Sequence, residues 1–170
     1  MKDESAKALQ AETMVSYSVL QVGWLLYSSH WTLLINKTSL PFWTSDNPVA
    51  LYNPIDYSNK SGIGFAVRGI QIHLPINSEL LLLVLDPTSY NLSAVKIIKK
   101  PEQITDENEI QLYNATRFVI SSDADFSLAK RMREEDEILR KPQERVILRK
   151  VALSGRSIIQ LSNKMKVPPS

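Results

Sequence analysis

The segment from Thr44 to Pro48 holds the side chains best suited to chemistry. It places a hydroxyl, a carboxylate and an amide side by side at Ser45, Asp46 and Asn47. A carboxylate at the end of a strand can bind a divalent metal ion or act as a general base, and Ser45 and Asn47 could then contact a bound ligand. The alternative is a turn in which Ser45 and Asp46 accept hydrogen bonds from nearby backbone N–H groups. The turn explains every residue of the segment, so it is the favoured interpretation.

A catalytic site at Asp46 needs partners, and the sequence offers His73 and Asn114. His73 lies on the polar side of an alternating strand, and with Asp46 it could bind Mg²⁺ or Mn²⁺ for metal-assisted hydrolysis, for example of a phosphodiester. The spacing of these residues matches no compact metal motif such as His-Glu-x-x-His. Both histidines of the chain, His30 and His73, are therefore more simply explained as structural or exposed side chains.

Other catalytic signatures are missing from the sequence. The chain has no cysteine, which excludes disulfides, a cysteine nucleophile and thiolate metal sites. It contains no phosphate-binding loop, no dinucleotide fingerprint and no Gly-x-Ser-x-Gly nucleophile elbow. The sequence therefore assigns no enzyme class.

The last part of the chain is strongly basic. It carries five cations that could contact the phosphates of a nucleic acid: Arg140, Lys141, Arg145, Arg149 and Lys150. Acidic residues fill positions 134–137 directly before them, and the two fields cancel if the segments lie together. A solvated surface is the favoured interpretation, and nucleic-acid binding is the alternative.

Hydrophobic periodicity predicts the elements that must position these residues. A long helix is expected over about residues 3–29, and further helices over about 105–115 and 123–140. Strands are expected at about 30–36, 42–44, 70–76, 79–85, 95–98, 117–121 and 145–152. The first two are expected to form a hairpin, and 79–85 to lie in the centre of the sheet.

The order of these elements predicts an α+β fold. Strands come in neighbouring groups and do not alternate regularly with helices, so we expect a mostly antiparallel or mixed sheet. The long N-terminal helix and two further helices are expected to pack on it. The expected divisions are an N-terminal helix at 1–29, a single α+β domain at 30–152 against which that helix packs, and a basic segment and tail at 153–170.

Composition and charge describe a globular protein. Of 170 residues, 44% are apolar and 22% charged, and the net charge of +2 is too small to indicate a polyanionic partner by itself. The start is charged, and the longest aliphatic run, Leu80–Leu85, is far too short to span a bilayer. A soluble, cytoplasmic protein without membrane contact is therefore expected. The wide apolar side of the first helix indicates pairing with another copy or with a missing N-terminal portion.

Three segments together resemble a known family. The most specific runs from Pro41 through Thr44-Ser-Asp-Asn-Pro-Val49 and follows Trp31-Thr-Leu-Leu-Ile. The others are Ile72–Leu83 and Leu112–Ser122. In this order they resemble the family known as domain of unknown function 4238. Longer members begin with a His-x-Val-Pro segment that this chain lacks, so the resemblance implies the C-terminal portion of the family pattern. Any chemistry that depends on that histidine would be absent.

Three hypotheses about function follow from these observations. The first is an accessory or interaction domain of a larger protein or assembly, because catalytic signatures are missing. The second is a metal-assisted hydrolase, for example a phosphodiesterase or nuclease, centred on Asp46 with His73 and Asn114. The third is a nucleic-acid-binding module that uses the basic C-terminal stretch.

Overall fold

The computed structural model describes residues 19–55, 64–141, 146–153 and 156–163, with side chains as far as Lys141. Its helices are α1 (19–27), α2 (Pro101–Asn114), α3 (Ser127–Glu135) and a short 3-10 helix (Glu137–Arg140). Its strands are β1 (His30–Asn36), β2 (Thr44–Ser45), β3 (Ala50–Tyr52), β4 (Gln71–Pro75), β5 (Leu80–Leu85), β6 (Val95–Ile98), β7 (Val119–Ile120), β8 (Val146–Leu153) and β9 (Arg156–Asn163). The predicted α+β class is confirmed.

A five-stranded mixed sheet forms the centre, in the order β3-β4-β5-β1-β6. All neighbours are antiparallel except β1 and β6, which are parallel. The aliphatic run of β5 takes the middle position, as predicted. One face of the sheet is deeply buried under α2, where Leu34, Leu81 and Ile104 are at most 3% exposed. Burial of this apolar face supplies the main drive for the fold.

Helix α2 begins four residues earlier than its sequence signals indicate. Thr105 and Asp106 are good cap residues, but Pro101 already occupies the first turn and Lys100 precedes it as the N-cap. The fixed φ of proline suits the first helical position, where its missing N–H costs nothing. The predicted start at Thr105 is therefore wrong. The helix ends at Asn114, close to the predicted end.

The predicted hairpin of residues 30–44 does not form. Strand β2 pairs with β7, whereas β1 pairs with β5 and β6. The chain leaves the sheet after Asn36, whose amide Nδ2 donates to the Leu40 carbonyl at 2.6 Å. It then follows α2, and Trp43 joins a second core with residues of α2 and α3. The helix predicted at 123–140 is interrupted at Asp136, which caps the 3-10 helix through Ile138 N–H.

The two ends of the chain differ from the predictions. The described part of the N-terminal helix covers residues 19–27, which is shorter than the helix expected over 3–29, and residues 1–18 lie outside the described part. The predicted strand near 145–152 is present as β8, and it pairs with a second strand, β9, that was not predicted. The division at residues 30, 152 and 153 stays a prediction. Within the described residues, no helix combines the length and the hydropathy that crossing a bilayer requires.

Candidate functional site

Asp46 ties strand β2 to the segment that follows α2. Its Oδ1 accepts a hydrogen bond from Thr116 N–H at 2.9 Å, and its Oδ2 accepts one from Arg117 N–H at 3.0 Å. The backbone N–H of Asp46 donates to the Phe118 carbonyl at 3.2 Å. The carboxylate is therefore anchored to two backbone amides that lie far away in sequence. It does not form the local turn that the sequence favoured.

The charge of Asp46 is stabilised by the same contacts. Burial raises the pKa of this carboxyl group. Hydrogen bonds with the backbone of Thr116, Arg117 and Phe118, together with one from the Arg117 side chain, lower the pKa by more than burial raises it. The net effect holds the pKa of Asp46 below its ordinary value. The Arg117 Nε lies 3.6 Å from Oδ2, and the Asp46 side chain is only 10% exposed. Asp46 is thus a fixed negative charge that positions the backbone at 116–118.

The neighbours of Asp46 in the segment are also used structurally. Ser45 Oγ accepts from Asn47 N–H at 3.2 Å, which is the local turn contact that was predicted. Asn47 Nδ2 donates to the Asn114 carbonyl at 3.3 Å. Asn114 Nδ2 donates within α2 to Ile110 at 2.9 Å. The structure therefore brings Ser45, Asp46, Asn47 and Asn114 together at the C-terminal end of α2.

Two buried amides on α2, not predicted, hold this arrangement. Asn108 accepts from Trp43 N–H at 2.8 Å and donates to the Pro41 carbonyl at 3.0 Å. Gln111 accepts from Ser45 Oγ at 3.3 Å and donates to the Pro48 carbonyl at 3.1 Å. They are three positions apart on one helix face. They could have been identified from the sequence as polar residues at helix positions that are otherwise apolar, among Ile104, Ile110 and Leu112.

His73 lies at a different place on α2. Its Nδ1 is 2.6 Å from Glu107 Oε2, and its Nε2 is 3.1 Å from Gln71 Oε1, while the ring is 2% exposed. Tyr52 contacts the ring edge-on at 6.1 Å between centroids. Both ring nitrogens therefore have protein partners, which fits a structural role that joins β4 to α2.

Asp46 and His73 lie at different positions along the axis of α2. His73 contacts Glu107, and Asp46 contacts the residues just after Asn114, about 10 Å further along at ~1.5 Å per helical residue. Within the described ranges, no three acidic or histidine side chains are grouped so that they could hold a metal ion. Of the predicted catalytic residues, Asp46 and Asn114 therefore lie close together, whereas His73 lies apart from them.

Beside Asp46 lies a cavity of about 510 Å³, here called the basic groove. Its floor is apolar and comes from α2, β7, α3, the 3-10 helix and the residues that flank the two α-helices: Leu112, Ala115, Val119, Phe126, Ala129 and Leu139. Its rim carries four cations: Arg117, Lys130, Arg133 and Arg140. Thr116 and Phe118 also line the cavity, and none of its lining residues in the described part of the chain is acidic. The anchor at Asp46 fixes the wall from which Thr116, Arg117 and Phe118 project.

The cations of the basic groove keep most of their charge available. Arg117 is 78% exposed and lies 5.8 Å from the Phe118 ring centroid, with Asp46 as its ion-pair partner. Lys130, Arg133 and Arg140 form no ion pair within 4.0 Å in the part of the chain whose side chains are described. Of the acids close to them in sequence, Asp136 accepts from Tyr113 OH at 2.9 Å, whereas Asp125 attracts Lys130 and Glu137 attracts Arg140 electrostatically. The groove is therefore a positively charged rim over an apolar floor.

The predicted nucleic-acid residues are divided by the structure. Arg140 lines the basic groove. Lys141 pairs with Glu137 at 2.6 Å. The side chains of Arg145, Arg149 and Lys150 lie outside the described ones. Sequence reasoning missed Lys130 and Arg133, although their spacing of three places both on one side of α3.

One comparison with known proteins gives a match. The model of the family described as Protein of unknown function (DUF4238) matches residues 1–125. The family resemblance is therefore confirmed. The interpretation as the C-terminal portion of the family pattern is not supported, since the match also covers the residues before Trp31. No curated protein and no solved structure matches the chain.

Proposed function

We propose that this chain, which belongs to the family described as Protein of unknown function (DUF4238), is an accessory domain that binds an organic phosphate. The observation that carries this proposal is the basic groove. Four cations surround an apolar floor, and no acidic side chain is among the described residues that line the cavity. A ligand that matches it carries a multiply charged anion at one end and an apolar, ring-sized part at the other.

The cations favour a phosphate over a simple point charge. Three of the four are arginines, and the planar guanidinium forms paired hydrogen bonds to phosphate and carboxylate oxygens. Arg133 follows Lys130 by one helical turn, so two cations can reach the same anion. A phosphate ester has enough oxygens to accept hydrogen bonds from several donors at once, whereas a single carboxylate has fewer acceptor oxygens.

The floor of the groove favours a ligand with an apolar part. Phe126 and Leu139 belong to the core between α2 and α3, yet they also line the cavity. A volume of about 510 Å³ lies within the usual range of small-molecule sites. Burial of an aromatic ring there contributes about 1.5–3 kcal/mol to binding.

Asp46 has a positioning role in this proposal. Both of its carboxylate oxygens accept from backbone N–H groups of the groove wall. The described lining residues include no carboxylate or imidazole that could activate water, which supports binding over hydrolysis. Metal-assisted hydrolysis at Asp46, with Mg²⁺ or Mn²⁺, stays an alternative that thermal unfolding with these ions tests.

Calorimetric titration with three probes tests the proposal. Phenyl phosphate carries both features of the ligand, inorganic phosphate carries the charge alone, and phenol carries the ring alone. We expect phenyl phosphate to bind about tenfold to a hundredfold more tightly than inorganic phosphate, because the ring adds about 1.5–3 kcal/mol. Phenol is expected to bind more weakly than phenyl phosphate, since it lacks the charge.

A matched pair of variants locates the site. Arg133→Glu reverses a charge on the rim, whereas Arg131→Glu makes the same change on α3 at a residue outside the lining. Arg133→Glu is expected to abolish phenyl phosphate binding, and Arg131→Glu to leave it nearly unchanged. Equal affinity of phenyl phosphate for both variants would contradict the proposal, as would failure of the wild type to bind any phosphate probe.

Nucleic-acid binding is the second candidate because Arg140 belongs both to the predicted basic stretch and to the groove. An unstructured DNA strand of ten thymidines distinguishes the two. Binding that is much tighter than that of phenyl phosphate and that collapses as salt rises would favour the nucleic acid.

A further inference from the structure

The charged and the apolar side chains of the basic groove lie at different depths. Most of its floor residues are at most 7% exposed, namely Leu112, Ala115, Ala129 and Leu139. The cations of the rim, in contrast, are all exposed. A phosphate held by these cations therefore lies at the mouth of the groove. The group esterified to that phosphate either enters and contacts the floor or stays outside in water.

The wall that follows α2 uses its backbone groups within the protein. Ala115 N–H donates to the Gln111 carbonyl at 2.9 Å. The N–H groups of residues 116–117 donate to the Asp46 carboxylate, and the Phe118 carbonyl accepts from Asp46 N–H at 3.2 Å. A polar atom of a ligand at this wall therefore meets backbone groups that already have partners.

The opposite wall also uses its backbone groups within the protein. The Phe126 carbonyl accepts from Lys130 N–H at 3.0 Å, and Leu139 N–H donates to the Asp136 carbonyl at 3.1 Å. Among the described lining residues, only Thr116 has a side chain that is polar and uncharged, and this residue is exposed. The floor thus offers hydrocarbon contact to whatever enters the groove.

We infer that the basic groove selects a phosphate monoester of a hydrocarbon and rejects sugar phosphates and nucleotides, an inference that rests on the proposed phosphate site. A phosphate monoester carries nearly two negative charges at neutral pH, which suits a rim of several cations. A hydroxyl or a nucleobase edge that enters the groove gives up its hydrogen bonds with water and gains none on the floor. An apolar pocket discriminates against one added hydroxyl by about a hundredfold. A sugar or a nucleoside therefore stays outside, and only its phosphate is bound.

Calorimetric titration with a matched pair of ring phosphates tests this inference. Cyclohexyl phosphate and glucose 1-phosphate each join a six-membered ring to a phosphate, but only the glucose ring carries hydroxyls. Cyclohexyl phosphate is expected to bind within about tenfold of phenyl phosphate, since both bury a hydrocarbon ring of similar size. Glucose 1-phosphate and uridine monophosphate are expected to bind about tenfold to a hundredfold more weakly than cyclohexyl phosphate, at the level of inorganic phosphate.

A pair of variants shows whether the hydrocarbon occupies the floor. Ala129→Val enlarges a side chain of the floor, whereas Ala94→Val makes the same change at an exposed residue outside the lining. Ala129→Val is expected to weaken the binding of cyclohexyl phosphate and to leave that of inorganic phosphate unchanged, because only the ring reaches the floor. Ala94→Val is expected to change neither. Thermal unfolding checks that both variants fold, and the comparison of probes on the wild type needs neither variant.

Failure of this inference is distinguishable from failure of the proposed function. Glucose 1-phosphate or uridine monophosphate that binds as tightly as cyclohexyl phosphate would overturn the inference and leave the phosphate site in place. Equal effects of Ala129→Val on cyclohexyl phosphate and on inorganic phosphate would also overturn it. If the wild type binds no phosphate probe at all, the proposed function itself is wrong.

Discussion

Asn108→Ala should remove the strongest polar link between α2 and the segment that leads to Asp46. The Asn108 side chain is 3% exposed and makes two hydrogen bonds, to Trp43 N–H at 2.8 Å and to the Pro41 carbonyl at 3.0 Å. A buried group left without its partner costs about 1–3 kcal/mol. Trp43 is buried, and Pro41 is half-buried, so water can reach its carbonyl more easily. We expect a loss of about 3 kcal/mol in the free energy of unfolding.

Urea unfolding followed by tryptophan fluorescence measures this loss. At about 2–4 °C per kcal/mol for a chain of this size, the melting temperature should fall by roughly 6–12 °C. The urea dependence should keep its slope, because the same surface is exposed on unfolding. Gln103→Ala on the same helix is the control, since its side chain makes no hydrogen bond with a described residue. A loss below about 1 kcal/mol for Asn108→Ala would refute the role of this amide.

Four further substitutions test other parts of the structure. Thr32→Val should raise the free energy of unfolding by about 1 kcal/mol in urea unfolding, because Thr32 Oγ1 is buried without a hydrogen-bond partner among the described residues. Gly69→Ala should lower it by more than about 1 kcal/mol, because φ is +82° and the new Cβ would lie 2.7 Å from Asn53 Oδ1. Burial raises the pKa of Asp86, but hydrogen bonds from Gly69 N–H, the Ser89 hydroxyl and Thr88 lower it to about 2. Its contribution to stability is therefore present above about pH 4 and lost as the pH falls towards 2, and Asp86→Asn should flatten this part of the stability–pH curve. Asp46→Ala should lower the melting temperature, and Mg²⁺ or Mn²⁺ should change neither protein, whereas stabilisation of the wild type alone by either ion would favour the hydrolase.

The sheet could be predicted from the sequence because its strands carry their own signal. The aliphatic run of β5 and the alternation of β4 indicate their type and the central position of β5 directly. The prediction of a hairpin between β1 and β2 was wrong because it relied on their proximity in sequence, whereas contacts between residues far apart in sequence decide which strands pair. Two hydrogen bonds of Asn108, which lies more than sixty residues away, hold residues 41–43 against α2 instead.

The candidate site could be predicted only in part. The segment around Asp46 stands out in sequence, but its partners, the amides of Thr116 and Arg117, are backbone groups seventy residues away. No side-chain pattern reveals such a contact. The basic groove is assembled from β7, α3 and the residues on either side of them, and its cations are separated by up to 23 positions, from Arg117 to Arg140. Only the pair of Lys130 and Arg133 carried a local signal.

The most direct measurement is a titration of the ¹⁵N-labelled chain with phenyl phosphate, followed by amide chemical shifts. Phosphate binding in the basic groove predicts that the largest changes fall on residues 115–119 and on Lys130 and Arg133 of α3, and that they saturate. Changes confined to other cations such as Lys96 and Arg131, or no change at high phenyl phosphate, would contradict it.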